Sequence, residues 1–412
     1  MSTRMIIFIS ILLVLDSYVF FGLRNSFAKG GVQIVVLTAY IVAALCSYMG
    51  VFALTTAFAE RPVSASVSQN LLIGFGFSFM IFKLLVAAFL VMDDVIRILV
   101  FFYNLLVKLF VPATEVSFEN RRKFLVNIGL GIASIPFASM LYGITKGKYN
   151  YKVKELSLKF PNLPKAFEGF KIVQISDIHA GSFDSLEAVQ RGVDLINKQS
   201  PDIVFFTGDL VNNEAEEVVP FMHIFKQISS AYGTYSILGN HDYGDYKRWP
   251  SKLAKQENLR TLEKYQAEMN FRLLKNEHVV VKKGTDELSV LGVENWGKPP
   301  FVTHGDLDKA LSGVSKDVFK ILLSHDPSHW DEKVIPNKTK IDLTLSGHTH
   351  GMQFGVDIPG FKWSPVKYKY PRWSGLYTAS EQHLYVNRGF GFLGFPGRVG
   401  MWPEITLITL TT

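Results

Sequence analysis

Apolar residues follow two regimes along this chain. Up to residue 145 they form long unbroken stretches. Beyond it they come in short bursts, separated by turn residues and charges.

Four stretches come first, at 5–23, 32–59, 70–92 and 95–111. A helix needs ~20 apolar residues to cross the hydrocarbon core. The first three reach that length, and the second is long enough to tilt. The fourth is short, with Arg97 and Lys108 placed to snorkel near its ends, and reads as a span or as an interfacial helix. A fifth stretch, NRRKFLVNIGLGIASIPFASMLYGI, starts at Asn120. It reads as a plain fifth helix or as a twin-arginine-like export signal, with Arg121, Arg122, Phe124 and Leu125 in the matching places. Such signals are N-terminal, and this one is internal. The expected division is therefore 1–119, a four-helix membrane region; 120–145, the fifth helix or signal; and 146–412, a globular domain.

The positive-inside rule puts Arg121–Lys123 in the cytoplasm and residue 146 onward outside. Asp93 and Asp94 fit an outside loop, whereas Arg24 and Lys29 would also fall outside, against the rule. Asp16 and Lys83 lie near the midpoints of the first and third stretches, where an isolated charge is costly; they read either as a pair inside the bundle or as charges that each face water or a neighbour independently.

In the second regime, residues 151–160 alternate as an edge strand does. Strand-like runs FKIVQIS, DIVFFTG and TYSILG are each followed by a helical pattern, at 184–199, near 215–228 and at 251–269. Asp184 is the expected N-cap of the first. Further strands are expected at 277–282, 287–292, 318–323, 341–346, 383–387 and 404–410. Alternating strands and helices indicate an α/β architecture, and the clustered later strands indicate a second sheet packed on the first.

The formal charge is +7, and Cys46, inside an apolar stretch, is the only cysteine. The globular domain thus has no disulfide, and no metal site there uses thiolate.

Polar residues gather where the apolar runs end. The motifs are SDIHAG (176–181), TGDLVNN (207–213), LGNHDYG (238–244), LSHDP (323–327) and SGHTHG (346–351). In open α/β sheets, sites form at the carboxyl ends of strands. Asp177, His179, Asp209, Asn240, His241, His325, His348 and His350 offer carboxylate, amide and imidazole donors, which suit Mn, Fe or Zn. The glycines at 181, 208, 239, 347 and 351 are expected to turn the backbone sharply beside these donors.

The ordered set resembles the calcineurin-like metallophosphoesterase family over residues 170–412, and the ending VNRGFGFLGFPGRVGMWPEITLITL resembles its membrane-anchored bacterial branch. The resemblance implies an α/β (α+β) metallophosphoesterase fold: two packed β-sheets flanked by helices, here preceded by an all-α multi-span membrane region. It implies two divalent metal ions. Asp177, His179, Asp209 and His350 would hold one, and Asp209, Asn240, His325 and His348 the other. His241 would be the catalytic histidine, oriented by Asp242. The implied activity is hydrolysis of a phosphoester or pyrophosphate by metal-activated water. The substrate would be a phosphorylated small molecule or lipid, with a membrane as partner and no nucleic acid. One specific form is a UDP-diacylglucosamine-type pyrophosphatase of lipid A synthesis. The expected location is a bacterial cytoplasmic membrane, with the phosphoesterase domain on the extracytoplasmic side. A non-catalytic metal-binding sensor or scaffold is the alternative from another class, and a transporter with an appended phosphatase is a third.

The branch commonly has glycine after HTHG, where this chain has Met352. Asn212 is expected to cap the next helix or to contact phosphate. His223, His278, His304, His329 and His383 read as packing or surface residues. The segment 360–377 interleaves Lys and Arg with Trp and Tyr, suiting either a lipid headgroup or a solvated loop. GFGFLGFPGRVG either lines an acyl groove or closes the core.

Overall fold

The computed structural model describes residues 3–60, 66–107, 119–299, 301 and 303–412. The chain forms two compact units that divide near Ile144 and Thr145.

The first unit is helical: α1 (Thr3–Ser26), α2 (Gly31–Glu60), α3 (Val67–Val107) and α4 (Glu119–Thr145). All four are long and apolar enough to cross a membrane. The sequence suggests separate stretches at 70–92 and 95–111, but the structure has one 41-residue helix, about 60 Å long. Residues 108–111, with Lys108, lie outside the described residues. Asp93 and Asp94, expected in a loop, sit inside α3, where charged partners from α4 compensate them. Arg121 reaches Asp93 at 3.1 Å, Arg122 reaches Asp94 at 3.5 Å, and Arg97 closes on Asp93 at 2.8 Å. The acidic pair and the basic start of α4 therefore lie at one end of the bundle, not on opposite sides of a membrane.

Contacts fix the helix directions. Gly22 meets Leu90 and Asp16 meets Lys83, so α1 runs with α3. Gly50 meets Leu72 and Gly76, and Gly74 meets Ile144, so α2 and α4 run against α3. Of the two readings of Asp16 and Lys83, pairing is the one found, with Lys83 Nζ 2.9 Å from Asp16 Oδ1 and 3.0 Å from Oδ2. Tyr40 and Tyr48 hydroxyls donate to the same carboxylate at 2.7 and 2.6 Å. A charge pair whose remaining lone pairs are hydrogen-bonded offsets much of its desolvation cost.

The second unit holds fourteen strands among its described residues: β1 (Lys152–Lys159), β2 (Lys171–Ile175), β3 (Ile203–Phe206), β4 (Thr234–Ser236), β5 (Phe271–Leu273), β6 (Glu277–Lys283), β7 (Asp286–Gly292), β8 (Phe319–Leu323), β9 (Leu343–Ser346), β10 (Val356–Ile358), β11 (Phe361–Trp363), β12 (Gly375–Ala379), β13 (Gln382–Val386) and β14 (Glu404–Thr411). One sheet has the order β1-β14-β2-β3-β4-β5, the other β12-β13-β9-β8-β7-β6, and β10-β11 is a separate hairpin. β2, β3 and β4 are parallel, as are β8 and β9, so each set ends at one edge.

Strand alternation sorts the core. Ile172, Ile203 and Phe205 of the first sheet pack against Val290, Ile321 and Leu345 of the second. Val173, Val204 and Phe206 turn outward onto α5 (Leu186–Lys198), which offers Val189, Val193 and Ile196. Leu291, Leu322 and Val386 cover the other flank with Trp330. The result is two packed sheets flanked by helices. Gln174, buried between the sheets, donates to Ser346 O at 2.9 Å and ties β2 to β9 close to their ends.

Three local expectations change. Ser185, not Asp184, caps α5 by accepting from Ala188 N at 3.2 Å; Asp184 instead pairs with Lys148 and Tyr149. The helix near 215–228 is a 3-10 turn, Ala215–Phe221, followed by a single α-turn, because Pro220 removes a backbone donor. Phe390 and Phe392 are buried, so GFGFLGFPGRVG closes the core.

Candidate metal centre

The residues from all five strand-end motifs meet at one rim. Asp177 and His179 follow β2, Asp209 follows β3, Asn240 and His241 follow β4, His325 follows β8, and His348 and His350 follow β9. The backbone pays for this convergence locally. Asp177, His179, Asp209, His348 and His350 all take positive φ, between 49° and 71°. That region costs a non-glycine residue roughly 1–2 kcal/mol, and such strain collects at functional sites. Gly208 and Gly351 turn the backbone as expected, with φ of 93° and 54°, whereas Gly181, Gly239 and Gly347 serve close approach instead. Gly347 makes room: a Cβ there would lie 1.9 Å from Ser176 Oγ and 2.3 Å from Asp177 Oδ2.

The donors fall into two groups, Asp177–His179–His350 and Asp209–His325–His348. In the first, His179 Nε2 and His350 Nε2 face each other at 3.0 Å, and His350 Nε2 lies 3.2 Å from Asp177 Oδ1. In the second, His348 Nδ1 lies 3.3 Å from His325 Nε2 and 2.8 Å from Asn240 Oδ1. Asp209 joins the two: its Oδ2 is 3.1 Å from His325 Nε2 and 3.5 Å from His179 Nε2.

Outer partners fix which ring nitrogen turns inward. A carbonyl oxygen only accepts, so Thr207 O, 2.7 Å from His325 Nδ1, keeps the proton on Nδ1 and leaves Nε2 for the centre. Asn212 Oδ1 does the same for His179 Nδ1 at 3.1 Å. Tyr370 Oη lies 2.8 Å from His348 Nε2, which leaves Nδ1 facing inward. Arg398, fully buried, donates to the carbonyls of Gly391, Arg388 and Met401 and lies 3.3 Å from His350 Nδ1. Its guanidinium braces that side of the site.

Protonation follows from burial and neighbours. Burial lowers the His179 imidazole well below its usual range, outweighing Asp209. Burial opposes ionisation of Asp177 and Asp209, yet His350 beside the first and His325 beside the second hold both carboxyls low. Burial would also lower His325, but Asp209 raises it to about 10. Converging nitrogens and ionised carboxylates, in a pocket without thiolates, fit borderline divalent cations such as Mn, Fe or Zn. Such a cation would displace the proton on His325 Nε2 and leave the one on Nδ1 with Thr207 O.

His241 stands apart from both groups. Its Nδ1 lies 2.8 Å from Asn212 O, its backbone N donates to Asp209 Oδ1 at 2.8 Å, and its ring packs on Tyr246 with centroids 4.4 Å apart. Asp242 does not orient it. That carboxylate is buried under the loop, accepting from the backbone N of Gly239 (2.8 Å), Asp209 (2.9 Å), Leu210 (2.8 Å) and Val211 (3.3 Å). With its acceptors spent on four amides, it locks the loop after β3 to the loop after β4. Asn212 is no helix cap either: Glu217 makes the capping box with Glu214, while Asn212 holds His179.

Sequence reasoning missed Tyr370, Arg398 and this role of Asn212, since all three act through space on residues remote in the chain. His329 is a packing residue, with Nδ1 2.8 Å from Ser324 Oγ and its ring tilted on Trp296.

An α/β sandwich carrying a buried centre for divalent cations at its strand ends, joined in one chain to apolar helices, is the class these features define. Residues 3–148 match the family described as probable calcineurin-like phosphoesterase, transmembrane domain, and residues 170–352 match the calcineurin-like phosphoesterase family. A transmembrane protein with metallophosphoesterase domain from Danio rerio is 31% identical over 275 residues, 66% of this chain and 60% of that protein. The uncharacterized metallophosphoesterase YkuE of Bacillus subtilis is 31% identical over 264 residues, 62% of this chain and 84% of that protein. Phosphodiesterase YaeI of Escherichia coli is 26% identical over 247 residues, 58% of this chain and 82% of that protein. The chain belongs to the calcineurin-like metallophosphoesterase family.

Proposed function

We propose that the second unit is a metal-dependent phosphoesterase, hydrolysing a phosphoester or pyrophosphate of an amphiphilic or lipid-linked substrate. The observation that carries this reading is the position of Asp209 Oδ2, between His325 Nε2 at 3.1 Å and His179 Nε2 at 3.5 Å. One carboxylate thus serves two donor groups. Asp177, His179, His350 and Asp209 would hold one divalent cation, and Asp209, Asn240, His325 and His348 a second. When bound, two such ions lower the pKa of water and neutralise phosphoryl oxygens.

The chain's own residues do the rest. Asn212 Oδ1, Thr207 O and Tyr370 keep the imidazole rings in the orientation that holding cations requires. Asp242 fixes the spacing of the Asp209 and Asn240 loops. His241, with its proton on Nδ1 held by Asn212 O, presents Nε2 to the site. There Nε2 exchanges a proton with the leaving oxygen.

His241 is the residue that separates an enzyme from a binding module. It lies outside both cation groups, yet it is held in one tautomer, which a scaffold does not require. The transport reading loses support from the Asp16–Lys83–Tyr40–Tyr48 cluster, whose charged groups satisfy one another.

The helix directions support an extracytoplasmic position. Arg24, Lys29, Arg97, Arg121, Arg122 and Lys123 all belong to one end of the bundle, since α1 and α3 finish there and α2 and α4 start there. The conflict raised by Arg24 and Lys29 disappears once α3 counts as one span. That end is cytoplasmic by the positive-inside rule, and α4 leaves the membrane on the opposite side.

The purified full chain should hydrolyse a generic phosphodiester or phosphomonoester with Mn, and Asp209→Asn should abolish it. No hydrolysis of either substrate, or an unaltered Asp209→Asn, defeats the reading.

A further inference from the structure

The β10–β11 hairpin wears its apolar side outward. Its register pairs Val356 with Trp363, Asp357 with Lys362 and Ile358 with Phe361. Alternation puts the two apolar pairs on one face and the polar pair on the other. The polar pair bonds back to the protein through its charged ends, although Lys362 itself is exposed. Arg388 Nη2 donates to Asp357 Oδ2 at 2.6 Å, and Lys154 Nζ approaches it at 3.4 Å. Lys362 Nζ donates to Ser374 O and lies 4.8 Å from the Trp373 ring centroid. On the other face, Val356, Ile358 and Phe361 are 38%, 58% and 55% exposed. An antiparallel sheet with one face in water keeps the reverse arrangement, polar out and apolar in.

The hairpin has apolar neighbours in the chain. Among the described residues from Thr145 onward, eleven large apolar side chains are exposed, and six of them run from Met352 to Leu376. Tyr368, at 78%, is the most exposed of these. Lys367 and Lys369 flank it in the chain, with Nζ 5.4 and 5.3 Å from the ring centroids of Tyr368 and Tyr370. An apolar tip followed closely in the chain by lysines and interface-seeking rings fits a bilayer carrying anionic headgroups. A second copy would set the same basic residues against themselves, a like-charge contact. The chain also carries four helices fit to keep it at a membrane.

We propose that the β10–β11 hairpin inserts its Ile358–Phe361 tip into the surface of an anionic bilayer. β10 begins shortly after His350, so docking brings the loop of His348 and His350 to headgroup level. Docking itself does not depend on turnover. Its consequence, that the substrate is drawn from the bilayer, rests on the phosphoesterase reading.

The test uses the full chain with Cys46→Ser and one new cysteine, Ile358→Cys or Phe361→Cys, labelled with an environment-sensitive fluorophore. Lys264→Cys, on the exposed side of the helix Lys252–Glu268, is the control. In phosphatidylglycerol–phosphatidylcholine vesicles, labels at 358 and 361 should shift to the blue and lose intensity to nitroxide lipids, and the control should do neither. Water-like emission without quenching at both positions overturns the proposal. So does cross-linking between copies through these cysteines without quenching, which would make the face a contact between chains. With Ile358→Ser and Phe361→Ser combined, hydrolysis of a vesicle-borne phosphoester should fall about tenfold, equivalent to losing part of the burial of two apolar side chains. Hydrolysis of a soluble phosphodiester should hold. Equal loss on both substrates contradicts the delivery role. If the unaltered chain hydrolyses neither, the phosphoesterase reading fails while the quenching result still decides docking.

Discussion

His241 Nδ1 lies 2.8 Å from the carbonyl oxygen of Asn212. That contact assigns the proton to Nδ1 and leaves Nε2 as the atom that gives or takes one. Glutamine fills similar space but exchanges no proton. His241→Gln should lower kcat by about 10²–10⁴-fold, with KM and metal content little changed. Steady-state kinetics with metal analysis of the same preparation checks this. A loss of metal alongside activity would make His241 a ligand.

The side chain of the same asparagine holds His179 through Nδ1 at 3.1 Å. Asn212→Ala removes that acceptor but keeps the backbone carbonyl that serves His241. Metal affinity should fall by about 10–100-fold, the usual effect of losing a ligand's outer partner. Competition with a chromogenic chelator measures it, and an unchanged affinity would show that His179 needs no such support.

Inside the helical unit, removing one partner of the Asp16–Lys83 pair leaves a buried charge without its counter-charge, although Asp16 would keep its two tyrosine hydroxyls. Asp16→Asn or Lys83→Met should each destabilise the unit by about 3 kcal/mol. The double substitution should cost at least about 1 kcal/mol less than the two singles combined. Thermal unfolding in detergent measures all three, and strict additivity would contradict the pairing.

His329 gives a pH dependence. Burial lowers its imidazole to about 4, against a partial lift from Asp326. The unfolded chain binds the proton more readily, near the ordinary value of about 6.5. Stability is therefore full above about pH 6.5 and is lost as pH falls toward 4, by up to about 3 kcal/mol from this residue. His329→Gln should be less stable than the unaltered chain at pH 7, and the gap should narrow by pH 5. Denaturant midpoints at the two values test the sign, and a gap that widens in acid refutes it.

The fold was legible because buried parallel strands read as short apolar runs, and FKIVQIS and DIVFFTG are such runs. The donors were legible because each ends a strand, so position along the chain already implied position on one edge. Backbone strain was not legible. Nothing in the letters of SDIHAG says that Asp177 and His179 themselves take φ near 50°. Met352 shows the same: its φ of 54° is the conformation for which glycine is the usual residue. Tyr370 escaped notice because its partner, His348, is reached only through folding. The sequence pattern divides α3 because adjacent aspartates interrupt its apolar run, and two of their three arginine partners lie in another helix. The hairpin hid because short strands with one inverted face carry no usable period.

Asp209, if it serves two cations, is the one residue whose loss empties both donor groups of a shared ligand. The most direct measurement is the metal content of the full chain and of Asp209→Asn, after chelation and reloading with Mn. We expect two equivalents per chain, at most one in the variant, and a loss of phosphodiester hydrolysis greater than about 100-fold. Two equivalents and full activity in Asp209→Asn would contradict that shared role.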